Sequence, residues 1–277
     1  MATLNIIGSG RVGRTLGNLI VANHVLEIGD LYDMDAERAC EAVEFIGAGR
    51  PIDRVSAMRP ADVWLLSVPD THISKVADQL ARERPDRETS NAVHCSGTLD
   101  ADVLAPLRAN GWAVASAHPM LSFAHPPTAV FQFEGTPCGL EGDHSARVIW
   151  SDTLAAVGGR CFEIRPGSKT LYHAATAVAS NFLPVLAAIS AELWEASGTP
   201  DWLIPDMMRT LTRNCADSIV ALGPREALTG PAACGDHAEV NAQSNAIANW
   251  DPVSRAAYDA LSILAFRLAQ TGKIRTD

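Results

Sequence analysis

The six residues Gly8-Ser9-Gly10-Arg11-Val12-Gly13 constrain this chain more than any others. They read G-x-G-x-x-G between a short β run, Thr3–Ile7, and a stretch of helical periodicity, Arg11–Asn23. A strand, a glycine turn and a helix in that order imply a parallel α/β sheet with an anion site at the helix N-terminus. Gly8 permits the tight turn, Gly10 lets a diphosphate approach the backbone, and Gly13 lets the helix pack closely on the strand. The segment from Gly8 to Gly13, with Ser9, Arg11 and Val12 between the glycines, is therefore the candidate dinucleotide loop. Asp33 follows Gly13 by 20 residues, at the end of a second β run. That is where an acid accepts hydrogen bonds from an adenosine ribose. A carboxylate there repels a 2′-phosphate and Asp35 adds to it, so the residues themselves lean to NAD over NADP. The competing reading is a glycine turn that binds nothing.

The rest of the first half agrees with that start. Val25–Tyr32, Val63–Val68, Ala92–Cys95, Ala113–Ala117, Thr136–Leu140 and Arg160–Ile164 read as strands. Ala36–Ile46, Ile73–Arg84, Asp100–Asn110 and His144–Val157 read as helices between them. The alternation predicts a doubly wound parallel sheet covered on both faces. After Arg165-Pro166-Gly167 no strand pattern remains. Ser168–Ala196, Asp201–Leu222, His237–Asn249 and Pro252–Thr271 read as helices, and Gly223–Asp236 as a loop. The expected fold class is α/β, a Rossmann sheet domain over residues 1–165 followed by an all-α domain over 166–277. Two domains suit a chain of 277 residues.

Composition removes several function classes. The net charge of −10 argues against a sequence-independent nucleic-acid binder and against adsorption to an anionic membrane. No apolar run reaches the ~20 residues of a membrane helix. The nearest, Ala174–Ile189, is interrupted by Ser180, Asn181 and Pro184. Six scattered cysteines without a C-x-x-C pair make a disulfide framework or zinc site improbable and suit a reducing cytoplasm, most of them as buried small hydrophobes. No metal site is expected. The N-terminus lacks the pattern of a secretory signal.

Ligands of an open α/β sheet bind beyond the carboxyl ends of its strands. Ser67-Val68-Pro69-Asp70 stands there, with Ser67, Val68 and Pro69 placed to run along the cofactor. So do His94-Cys95-Ser96-Gly97-Thr98 and His118-Pro119-Met120. Ser96 and His118 each read equally as site or scaffold. His94 and Cys95 read as structural, and His24, His72, His125 and His144 as solvated. In the second half, Lys169 and His173 are four apart on one helix face, with Ser180 and Asn181 two turns beyond among small residues. A cation near a helix start opposes the macrodipole, which favours a functional reason for Lys169. Hydride transfer to C=O or C=N needs a proton or a partner for developing charge, which Lys169, His173 or His118 could provide. Asn181 could orient a carboxylate or carbonyl. Arg165 and Lys169 supply local positive charge for a small anionic substrate.

At these residues the chain resembles the Rossmann-like oxidoreductases whose helical C-terminal domain is the domain of unknown function DUF2520. The motifs are GSGRVG at Gly8–Gly13, SVPD at Ser67–Asp70, HCSGTL at His94–Leu99 and HPM at His118–Met120. They continue with K-x-x-Y-H-x-A-A from Lys169 to Ala175, Ser180-Asn181, and ALTGP at Ala227–Pro231 before Gly235-Asp236. More distantly it is similar to β-hydroxyacid dehydrogenases, pyrroline-5-carboxylate reductases, ketopantoate reductases and prephenate dehydrogenases. The resemblance implies a 6-phosphogluconate-dehydrogenase-like fold, a nicotinamide cofactor with a family leaning to NADP, and a ketopantoate-like 2-keto acid among possible substrates. β-Hydroxyacid dehydrogenases carry Lys and Asn four apart on this helix, where the present chain has Lys169 and His173. Prephenate dehydrogenases place a Ser loop and a His-Pro loop where Ser96 and His118 stand. Cys234 and Asp33 depart from the family pattern, which has a basic residue before Gly235 and a polar or basic dipeptide after the second strand.

Two functions follow as expectations. One is an NAD(P)-dependent oxidoreductase acting on a small carboxylate-bearing ketone, alcohol or imine. The other is a non-catalytic dinucleotide-binding sensor or scaffold. A homodimer is expected through the apolar faces of Leu183–Leu193 and Leu261–Leu268.

Overall fold

The structure, a computed structural model, describes residues 1–84 and 90–275. It divides into two compact units, Met1–Ala177 and Val178–Asp277.

The first unit is built on an eight-stranded sheet in the order β3-β2-β1-β4-β5-β6-β7-β8. The strands are β1 (Thr3–Ile7), β2 (Glu27–Tyr32), β3 (Arg50–Ile52), β4 (Val63–Leu66), β5 (Asn91–His94), β6 (Ala113–Pro119), β7 (Pro137–Gly142) and β8 (Arg160–Glu163). Helices α1 (Arg11–Ala22), α2 (Ala36–Ile46), α3 (Asp70–Glu83), α4 (Ala105–Ala109), α5 (Pro126–Gln132) and α6 (His144–Ala156) fill the connections. Period-two alternation divides the apolar strand residues between two cores. Leu4, Ile6, Leu65, Val93 and Ala115 face one side, against Leu16 and Ile20 of α1 and Trp150 of α6. Ile7, Trp64, Leu66, Ala92 and Val114 face the other, against Ile73 and Leu80 of α3 and Leu107 of α4. Both faces are covered, which is why VWLL reads as an unbroken apolar run.

The sheet departs from an all-parallel reading at one seam, where β7 runs antiparallel to β6. A parallel return would have to cross the full length of the sheet. Here the connection ends where it began. Met120, just after β6, donates its N–H to the Pro137 carbonyl at 2.8 Å, and α5 has only 7 residues. β8 then pairs with β7 in parallel. Strand β3 and helix α5 are short elements that the periodicity does not announce.

The unit boundary lies beyond Arg165. Helix α7 (Lys169–Thr176) belongs to the sheet unit because its Lys169 and Tyr172 bond residues of β6. The second unit is helical, with α8 (Leu183–Ala196), α9 (Ile204–Leu222), α10 (Pro224–Ala227), α11 (Pro231–Cys234), α12 (His237–Trp250) and α13 (Pro252–Thr271). Short helices α10 and α11 replace the expected loop, each opened by a proline in its first turn. Residues Ala177–Asn181 form a π-helical turn, and Pro184 sits in the first turn of α8, where its missing N–H costs no hydrogen bond. Ser180, Asn181 and Pro184 interrupt the apolar run but do not end the helical conformation. Within the 28 helical residues Lys169–Ala196 an 18-residue window reaches a mean hydropathy of 1.6, which meets the length and composition of a helix able to cross a membrane.

The cysteines are less buried than their type suggests. Cys138 is buried, Cys95 and Cys161 are half-buried, and Cys40, Cys215 and Cys234 are exposed, all as free thiols. His24, His72, His125 and His144 are exposed, as their surroundings in the sequence imply.

Candidate active site

The glycine loop joins β1 to α1. Gly8 has φ +92°, and a Cβ there would lie 2.7 Å from Val68 Cγ1. A Cβ at Gly13 would lie 2.5 Å from the Gly8 carbonyl and 2.5 Å from Ser67 Oγ. The helix is thus locked against the turn by the absence of two side chains. Around Gly10 a Cβ would meet nothing within 4 Å. Gly10 is also the N-cap of α1 and offers no side chain to its first-turn N–H groups. This is the open, donor-rich arrangement that a diphosphate requires.

A cavity of about 840 Å³ adjoins the loop and brings together Gly8, Gly10, Asp33, Ser67, Val68 and Pro69. Arg38 of α2 and His72 and Lys75 of α3 also line it. Ser9 is buried, Val12 packs on the core, and Arg11 is exposed at the start of α1. Asp33 is held by the loop itself. One of its oxygens accepts from Ser9 N at 2.8 Å and Ser9 Oγ at 2.9 Å, and the other accepts from Asp35 N at 3.1 Å. An ionised carboxylate has about four acceptor sites, so one direction stays open to a ribose hydroxyl.

The second group of candidates gathers at the carboxyl ends of β5 and β6. Register pairs His94 with Ser116 across these strands and His118 with Gly139 across β6 and β7. His94 is buried and neutral. It accepts from Ser96 N at 3.2 Å through Nδ1 and contacts the Asp100 carbonyl at 3.1 Å through Nε2, so the Nε2–H tautomer satisfies both contacts. Burial, then the nearby Lys169 charge, push its pKa down to about 3. Ser96 donates to Asp70 Oδ2 at 2.7 Å and accepts from Thr98 N and Leu99 N at 3.1 and 2.9 Å. Its hydroxyl thus ties α3 to the turn after β5.

Lys169 is 3% exposed and donates to Ser116 Oγ. Burial lowers its pKa to about 8, against the opposing pull of Glu141. Glu141 is itself buried and accepts from Ala101 N at 2.6 Å. Burial also lowers His118 to about 4, with Lys169 adding to the effect. His118 Nδ1 lies 2.9 Å from the Tyr172 hydroxyl. The His118 and His173 rings meet edge-on, 5.9 Å between centroids. Both reach toward Gly97, where a Cβ would stand 2.5 Å from His173 Nδ1 and 2.9 Å from His118 Nε2. His173 Nδ1 is buried with no hydrogen-bond partner.

The structure therefore brings Lys169, His173, His118 and Ser96 into one group. Asn181 belongs to the second unit, where its Oδ1 accepts from Ser180 at 3.0 Å. Ser116, Tyr172 and Glu141 join the group without having been singled out. Tyr172 carried a legible signal, since it is three residues after Lys169 and so on the same helix face. Glu141 carried none, because strand β7 was expected to end at Leu140. Among the described residues no cluster of His, Cys, Asp or Glu is arranged to hold a metal ion.

Residues 2–119 match the model of a Rossmann-like domain, and residues 136–264 that of the domain of unknown function DUF2520. The chain pairs a Rossmann-like domain with a DUF2520 domain. Protein TM1727 from Thermotoga maritima is similar in structure, with 26% identity and TM-score 0.78 over 97% of this chain and 99% of that one. A Bacteroides fragilis protein proposed to be an NADP oxidoreductase shares 20% identity, with TM-score 0.70 over 96% and 98%. An imine reductase variant from Myxococcus stipitatus, solved with NAD⁺, shares 17% identity, with TM-score 0.62 over 98% and 95%. None of the curated protein sequences matches this chain. The likeness at these identities shows the fold alone, a Rossmann-like sheet unit followed by a helical unit.

Proposed function

We propose that this protein is an NAD(P)-dependent oxidoreductase that reduces a small carboxylate-bearing ketone or imine, or oxidises the corresponding alcohol or amine. The observation that carries this reading is the pairing, in one sheet unit, of an open glycine loop with a group of buried titratable side chains. Gly10 stands clear of neighbours at the start of α1. Lys169, His118 and His173 gather at the next strand ends, with His173 Nδ1 buried and unpartnered. A structural helix face has no need to bury a lysine or to leave an imidazole nitrogen unsatisfied. A 2-keto acid such as ketopantoate is the substrate class that the family resemblance and the Lys169 charge together favour.

A bound nicotinamide dinucleotide supplies the hydride. Gly8 to Gly13, Asp33, Ser67, Val68 and Pro69 would hold it. The chain's own residues do the rest. Lys169 provides positive charge in a water-poor setting, where it attracts a carboxylate and steadies charge developing on oxygen. Asp33, with Asp35 beside it, favours NAD because a 2′-phosphate would meet two carboxylates. Its remaining acceptor direction suits a ribose hydroxyl.

The chain works as a homodimer in this reading. Among the described residues of the second unit, Val240 and Ile247 are the only buried apolar side chains, while Leu183, Val185, Leu186, Leu261 and Ile263 are each more than 40% exposed. An apolar groove of about 440 Å³ runs along Leu186, Ile189, Leu193, Ile247 and Leu261. Faces of this kind are covered by association.

The test is an oxidation screen with NADH and NADPH over 2-keto acids, ketopantoate among them, and cyclic imines. Turnover should be lost in Lys169→Ala with the fold retained. Tight cofactor binding without turnover on any substrate would instead point to a dinucleotide-binding sensor.

A further inference from the structure

Tyr172 links helix α7 to His118 on β6. The Tyr172 hydroxyl stands 2.9 Å from His118 Nδ1, and the rings meet edge-on at 5.7 Å. Phe162 packs on the other side of Tyr172 at 6.1 Å. Gly139 gives the hydroxyl its room, since a Cβ there would lie 3.1 Å away. Tyr172 is thus held between β7, β8 and His118. Burial pushes its phenol up to about 12, so it keeps a proton that it can donate to Nδ1.

An imidazole that accepts at Nδ1 must, when neutral, carry its proton on Nε2. In His118 that nitrogen is the one facing Gly97, beside the unpartnered Nδ1 of His173. We propose that Tyr172 is a positioning residue that fixes His118 as the Nε2–H tautomer, so that His118 donates a hydrogen bond to the carbonyl oxygen of the substrate. This rests on the proposed reduction and narrows its substrate class. A neutral N–H donor and the Lys169 charge both favour an oxygen that gains negative charge as hydride arrives. Neither favours a cationic iminium, whose charge would face a cation and a donor hydrogen. The site is therefore built for a 2-keto carboxylate rather than for an imine.

The experiment is long-range proton–nitrogen NMR on the full chain labelled at histidine, with His118 assigned by its loss in His118→Gln. His118 should be neutral at neutral pH, with its proton on Nε2. In Tyr172→Phe the two tautomers should mix. Adding NADH with oxamate, a stable 2-oxo-carboxylate analogue, should move the Nε2–H resonance of the unaltered chain. A proton on Nδ1, a doubly protonated ring, or a Tyr172→Phe spectrum unchanged from the parent would overturn the proposal. A kinetic arm uses the best 2-keto acid from the screen. Tyr172→Phe should lower kcat about tenfold with KM nearly unchanged, a partial loss of one oxyanion donor. An Nε2–H tautomer in a chain that turns nothing over would count against the reductase reading alone. Turnover with the wrong tautomer would count against Tyr172 alone.

Discussion

Asp33 shows how a side chain can be placed by sequence position and still have its capacity decided by its neighbours. Position puts it at the end of β2, beside the glycine loop. The fold then occupies three of its acceptor directions with Ser9 and Asp35 donors. Asp33→Ser should weaken NADH binding and narrow the preference over NADPH, by about 1–3 kcal/mol for a charged acceptor lost. Fluorescence titration with both cofactors measures it, and an unchanged ratio would deny Asp33 its role. Lys169 invites a pH argument. Its folded pKa of about 8 lies below the 10.5 of a solvated lysine. Between these values the unfolded chain binds a proton that the fold does not, so this group's contribution to stability rises with pH across that window. Below pH 8 the full penalty is present, on the order of 3 kcal/mol at 1.36 kcal/mol per unit. Lys169→Met should therefore raise the denaturation midpoint at neutral pH while removing activity. In the unaltered chain, kcat/KM for an anionic substrate should fall as pH climbs past about 8 and the charge is lost. A pH-independent rate through that range would remove Lys169 from the chemistry.

At the scale of elements, strands and helices with strong periodicity were legible almost residue for residue. β1, α2 and α13 fall where the apolar pattern and the end signals put them. What escaped was local pattern overruled by distant contact. β3 is three residues long, Arg50–Ile52, and exists because it pairs with β2. The antiparallel seam at β7 depends on where a connection closes, which no window of residues records. Buried Asp30 on β2 is another such case. Arg59 donates to it at 2.7 Å from a loop before β4, and Arg50 at 3.2 Å from β3. Burial alone would raise its pKa, but hydrogen bonds from both arginines hold it below the usual carboxylate range. Asp30→Ala leaves two arginines without a partner and Arg59 N without its acceptor. It should cost about 1–3 kcal/mol in urea denaturation, the range for losing charge-assisted hydrogen bonds and leaving the Arg59 N–H unsatisfied. A loss below about 1 kcal/mol would show that the exposed arginines are solvated without it.

At the scale of the molecule, the second unit buries little of its own apolar surface, and the proposed dimer answers that shortage. Leu186→Glu places a carboxylate on α8 in the apolar groove. Light scattering should show a dimer for the parent chain and a shift to monomer for the variant at micromolar concentration. A monomeric parent would refute association outright. The sequence by itself determined the α/β class, the position of the dinucleotide loop and the acid that follows it. Those are local matters, set by glycine conformations, apolar periods and short spacings. The tertiary structure alone decided which polar residues meet. Ser116 and His118 come from β6, Glu141 from β7, and Lys169 and Tyr172 from α7, and their convergence follows from sheet register and from α7 docking on the sheet unit. Burial then lowered the Lys169 and His118 pKa values and raised that of Tyr172, because desolvation is a property of the surroundings and not of the residue.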